Sequence, residues 1–124
     1  DAVAQGQWSA KTERGVPMAL YGPPQTEADL VVRCEGENLV FIRGAPVDGE
    51  GELELRAGGE IRTITARTRP GPMSQTAGEL PADDPFAATL ASNTQPIALR
   101  VDEGPFYRVP SHEHLRDLVR DCRG

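Results

Sequence analysis

Histidines, serines, cysteines and paired acids are the residues of this chain that could do chemistry. His112, Glu113 and His114 stand together near the C-terminus. On a helix, positions two apart point about 200° from each other, so these rings could not share a metal as an i, i+4 pair can. At a helix start they read as solvent-facing residues, so neither a ligand nor a catalytic role is expected. The serines Ser9, Ser74, Ser92 and Ser111 lack the surroundings of a nucleophile elbow, and Ser111 reads as a helix N-cap. Asp83-Asp84 and Asp102-Glu103 fall at a cap and at a turn, where acids are ordinary. A nucleophile needs a base and an orienting group converging on it. No such set is legible, so the chain reads as a non-enzyme with no cofactor and no metal.

Cys34 and Cys122 remain. They are far apart in sequence and belong to no CxxC pair or ligand spacing, so a metal or redox motif is excluded. Two unrelated buried thiols and a catalytic cysteine are the alternatives to a disulfide. Geometry favours the disulfide. Leu115, Leu118, Val119 and Cys122 fall on one helical face, and Cys34 ends the strand-like run from Leu30. Both sulfurs should therefore point into the core. The bond implies an oxidising compartment.

The elements that must position these residues are short. The 124 residues suit one domain, and 13 glycines with 11 prolines favour strands joined by turns over a helical bundle. Strands are expected at 8–12, 16–21, 30–34, 39–43, 52–56, 61–67, 97–101 and 106–109. Leu39-Val40-Phe41-Ile42 is apolar on both faces, as in a strand covered on both sides. Gly58-Gly59 offers the positive φ angles of a tight hairpin turn. Residues 1–7 read as a disordered tail and residues 69–82 as a long loop. Asp84-Pro85 starts a short helix at 84–92, and a second is expected at 111–122. The fold class is mostly β, an antiparallel sandwich or small barrel of about eight strands with these two helices.

Charge narrows the partners. The net charge is −6, and the 13 basic residues, all arginine but for Lys11, are scattered singly. That disfavours nucleic acid and anionic membranes, and no apolar run is long enough to span a bilayer. The small polar start, Asp-Ala-Val-Ala, fits a mature end left by signal removal. The surface best suited to recognition combines Tyr21, Pro23 and Pro24 with Pro72 and Met73 of the long loop, because prolines lower the ordering cost of a presented shape.

Trp8, the Arg33-Cys34 strand end, a short helix before Ile97-Ala98-Leu99-Arg100-Val101, and a last helix closing in Cys122 form an order spanning most of the chain. In this the chain resembles small exported alphaproteobacterial proteins of the invasion-associated-locus-B kind and similar secretion-accessory families. Those proteins often carry a further cysteine pair, which this chain lacks. The resemblance implies a periplasmic β-sandwich of accessory role and brings no catalytic residues. The expected function is a non-enzymatic periplasmic or envelope-associated binding protein, its partner another envelope protein. The alternatives are an inhibitor of a foreign hydrolase such as lysozyme, or an enzyme using Cys34 or a histidine.

Overall fold

The computed structural model describes residues 3–44, 47, 49–71 and 74–124. The chain forms β1 (Gln7–Glu13), β2 (Val16–Gly22), β3 (Leu30–Glu35), β4 (Asn38–Arg43), β5 (Glu50–Ala57), β6 (Glu60–Arg69), β7 (Gln75–Pro81), α1 (Pro85–Ser92), β8 (Ile97–Val101), β9 (Tyr107–Val109) and α2 (Glu113–Arg123). All nine strands belong to one antiparallel sheet ordered β1-β2-β3-β4-β7-β6-β5-β8-β9. The expected class is confirmed, and eight of its strands lie where the pattern put them. The sheet does not close into a barrel. It bends so that its ends meet: Trp8 Nε1 donates to the carbonyl of Pro110 at 2.7 Å, and Ala4 N donates to that of Arg108 at 2.8 Å. Tyr21 Oη also donates to the Ala4 carbonyl, at 2.6 Å. The expected free tail is therefore corrected at Ala4, which is fastened from both sides.

The bend is sharpest at one seam. β6 is ten residues long, yet it pairs with β7 only from Ala66 to Arg69, against Gly78 to Gln75. Beyond Gly78 the two strands part. A five-stranded half (β1-β2-β3-β4-β7) then faces a four-stranded half (β6-β5-β8-β9) across the core, which gives the sandwich-like form. Alternation sets which side chains face inward. Leu30, Val32, Leu39, Phe41 and Leu80 come from the first half; Leu53, Leu55, Ile97, Leu99 and Val109 come from the second.

β7 is the largest departure from expectation, because it occupies residues read as loop. Its inward positions are Thr76, Gly78 and Leu80. A threonine and a glycine in that row erase the hydrophobic period by which a strand is recognised. Gly78 suits the close approach at the seam: a Cβ there would lie 2.8 Å from Ile64 Cδ1, 3.1 Å from its Cγ1 and 3.2 Å from the Thr65 carbonyl oxygen. The connection left between β6 and β7 is residues 70–74, shorter than the loop expected at 69–82. Pro72 and Met73 fall outside the described residues.

Both helices close the core from one side, α2 against β1 to β4 and α1 against α2 and β6. Asp84 caps α1, its Oδ1 accepting from Phe86 N at 2.8 Å, with Pro85 at the first helical position. The α2 stripe is as expected, with Leu115, Leu118 and Val119 buried. It carries Cys122 to Cys34, and the two form a disulfide across 88 residues with Cα atoms 5.6 Å apart.

Candidate functional site

His112, Ser111 and both cysteines, singled out above for chemistry, have structural occupations. α2 begins one residue later than a Ser111 cap would require, and its N-cap is His112. The His112 backbone is extended, with φ −154° and ψ 153°, so helical angular arithmetic does not apply to it. Its ring lies 4.6 Å from that of His114, and its Nδ1 accepts from His114 N at 3.0 Å. The rings thus meet where a helix would have kept them apart. Ser111 Oγ donates to the Asn93 carbonyl at 2.6 Å and accepts from Arg116 Nη1 at 2.7 Å, which fastens the end of α1 to the start of α2. Cys34 and Cys122 are bonded to each other.

The expected recognition surface is divided. Tyr21 is 2% exposed and tilts against Trp8 at 5.3 Å, so its ring belongs to the core. Burial raises its hydroxyl pKa above the ordinary value. Pro23 and Pro24 are exposed on the loop after β2. That loop is held by Thr26 Oγ1 donating to Pro23 O at 2.9 Å and by Asp29 N donating to Tyr21 O at 2.8 Å. Beside it lies only a shallow depression of about 150 Å³.

A larger hollow follows the seam. Where β6 leaves β7, an open groove of about 700 Å³ runs over the outer face of β4, β7 and β6. Val40, Ile64 and Ala77 supply its apolar surface, Thr65 and Arg67 one wall, and Glu35 and Glu79 the other. Val40 is 3% exposed, so β4 is covered on both faces as its sequence implied. The charged rim is tied down. Glu35 pairs with Arg33 at 2.9 Å and with Arg69 at 3.4 Å, while Asn38 Nδ2 donates to Glu79 at 3.2 Å. Arg62 braces the parted strands from inside, its Nη2 lying 2.8 Å from Asp84 Oδ1 at the α1 cap. Sequence reading missed this groove because the seam depends on where two ladders stop, and β7 itself was hidden.

A second surface lies at the opposite edge. Alternation puts Glu54, Arg56, Arg100 and Arg108 on the outer face of β5, β8 and β9, around Phe106. The guanidinium carbons of Arg56 and Arg100 each lie 4.6 Å from the Phe106 centroid, and that of Arg108 lies 5.8 Å away. Arg56 and Arg100 share the Glu54 carboxylate. The bond from Arg56, followed by Arg100, holds that carboxyl below its ordinary pKa although burial opposes the shift. Nearby, Arg43 stacks on Tyr107 at 3.8 Å, and Tyr107 Oη lies 3.3 Å from Asp29 Oδ2. Burial and then Asp29 push the Tyr107 hydroxyl up to about 12, while burial lowers the Arg43 pKa against the charge of Asp29. In sequence these arginines looked scattered, because only strand pairing collects them.

Among the described residues no helix is long and apolar enough to cross a membrane, and no three or more His, Cys, Asp or Glu side chains form a cluster that could hold a metal ion. Comparison with protein-family models, with curated proteins and with solved structures finds no match to this chain in any of the three.

Proposed function

We propose that this is a non-enzymatic, exported binding protein with an accessory role in the bacterial envelope, periplasmic or outer-membrane-associated, and that it engages another protein along the β4–β7–β6 groove. The groove carries this reading. It is an open hollow of about 700 Å³ with apolar surface from Val40, Ile64 and Ala77 and a rim on which Arg33 and Arg69 hold Glu35 and Asn38 holds Glu79, so a partner would find a preorganised surface. The disulfide supports an oxidising compartment. The occupation of His112, Ser111 and both cysteines in caps, ties and a bond favours binding over catalysis. The resemblance to exported accessory proteins points the same way.

Site-specific photo-crosslinking tests it. A crosslinking residue replaces Thr65 or Glu79 in the groove, or Glu13 on the far edge of the sheet as a control, and each variant is mixed with envelope extract of the source organism. The same protein should be captured from both groove positions and not from Glu13. Equal capture from all three would overturn the assignment. If lysozyme is captured instead, and its lytic activity falls at stoichiometric ratios, the protein is a hydrolase inhibitor.

A further inference from the structure

The two-residue turn at Gly58-Gly59 fixes which way the backbone of β6 points. Ala57 and Glu60 flank it as a mutually hydrogen-bonded pair, so Glu60, Arg62 and Ile64 bond to β5. Ile61, Thr63 and Thr65 turn their N–H and C=O groups the other way, toward β7. The same phase continues at Arg67 and Arg69, which meet Ala77 and Gln75. That second ladder stops at Ala66 opposite Gly78, although β6 reaches back to Glu60. Among the described residues no strand lies opposite Ile61 and Thr63 on that side, and no turn or loop bond brings another backbone group to them. Two residues about 6.8 Å apart thus offer two donors and two acceptors in the plane of the sheet. α1 lies beneath the gap, for it is Glu60 and Arg62 of the inward row that reach Thr89 and Asp84. The outward row of Ile61, Thr63 and Thr65 is exposed, Ile61 by 57%. β1, at the end of the sheet, differs: it carries the Lys11–Glu13 pair, and charged side chains along an edge discourage pairing. No charge stands in the outward row from Ile61 to Thr65.

We infer that the free edge of β6 at Ile61 and Thr63 takes up an extended segment of the partner protein as an additional strand. The inference rests on the groove reading and deepens it, by naming the conformation of what binds. An extended backbone supplies acceptors and donors at the two-residue repeat that Ile61 and Thr63 present, so the main chain carries the affinity. Sequence enters through alternate side chains. Those on the outer side lie next to Ile61 and Thr63, where β-branched residues make good cross-strand neighbours. The same strand continues to Ile64 and Thr65 on the groove wall. β6 is an interior strand of the sheet, flanked at this edge by β7 and α1, so a single strand fits where a second folded copy would meet both.

The probe is the blocked heptapeptide Ser-Thr-Val-Thr-Val-Thr-Ser, added to the intact disulfide-bonded protein, with amide hydrogen exchange read residue by residue by NMR. At ~1 mM peptide the amides of Ile61 and Thr63 should exchange severalfold more slowly. Those of Arg62 and Ile64, already bonded to β5, should keep their rates. N-methylating the peptide one residue at a time should weaken binding about tenfold at every second position and little in between. Thr63→Pro should weaken it similarly, since proline is tolerated where a strand N–H faces away from its ladder. The methylated peptides make the same test on the unaltered protein. No slowing at Ile61 and Thr63, a methylation effect without the period of two, or slowing at Ala10 and Thr12 of β1 instead would overturn the inference. Slowing that grows with protein concentration in the absence of peptide would overturn it too, because the added strand would then come from a second copy. Groove crosslinks in envelope extract without slowing would remove the added strand and leave the groove reading. Slowing without such crosslinks would support the added strand and remove the envelope partner.

Discussion

The two halves of the sheet are held by different means. The five-stranded half carries α2 across its inner face and is stapled to it by the Cys34–Cys122 bond. The four-stranded half has no covalent tie among the described residues. It is joined through the short β6–β7 ladder, through Arg62 on the α1 cap, and at the closing edge by Trp8 on Pro110 and Tyr107 on Asp29. The groove proposed for binding runs along the seam of this second half, and the free edge of β6 opens there. One half is thus fixed covalently, while the groove proposed for binding lies where the sheet is joined by side chains and short ladders.

Removing the staple should have the largest effect. The bond closes a loop spanning 88 residues, for which loop-closure entropy gives ~4 to 5 kcal/mol. The double substitution Cys34→Ser with Cys122→Ser should lower the unfolding free energy by about that amount in urea titrations. Proton–deuterium exchange should quicken first at Arg120 to Gly124 and along α2, and later over β5 and β8. A uniform rise over the whole sheet would show that the halves do not differ in how they are held.

A smaller loss should follow from disturbing the seam. Gly78→Val puts branched carbons where even a Cβ would sit 2.8 Å from Ile64. The cost should be about 1 to 3 kcal/mol, the usual range for overpacking. The same change at Ala77, on the outer face of β7, should cost far less. If both variants unfold at the same urea concentration, the close approach of Ile64 is not what fixes glycine at this position.

The seam also marks where sequence and structure part company. Eight strands and both helices were legible because their apolar residues recur at the period of the element that holds them: Leu53 and Leu55 in β5, for example, or Leu115, Leu118 and Val119 in α2. The Gly58-Gly59 turn was legible too, and both residues have the positive φ it demands. The disulfide followed from two such periods pointing to one place. β7 was not legible, because a strand entering a tight crossing needs small residues where its pattern would otherwise show. The arginine row was invisible for another reason. Residues 56, 61, 98 and 108 have no relation in sequence, and only the register of four strands makes them neighbours. Tyr21 misled in the opposite sense: an aromatic beside two prolines looked like a presented surface, but alternation turned its ring inward.

The closing edge offers the finest test of the comparison. Tyr107 on β9 meets Asp29 at the foot of β3 and stacks under Arg43, so it links the two halves without a covalent bond. Burial and Asp29 raise its pKa from the ordinary 10 to about 12. A group whose folded pKa is raised stabilises the fold fully below its unfolded pKa, and that contribution disappears as pH rises through the folded value. Stability should therefore fall with increasing pH between about 10 and 12, as the unfolded state releases the Tyr107 proton more readily than the folded state. Tyr21, also raised by burial, adds to the same slope. Tyr107→Phe should flatten part of that slope and leave the remainder to Tyr21. Urea titrations at closely spaced alkaline pH values measure it directly. An unchanged slope in Tyr107→Phe would mean that this hydroxyl is as hydrated in the folded protein as in the unfolded chain, and that the edge closes through the Trp8 and Ala4 contacts alone.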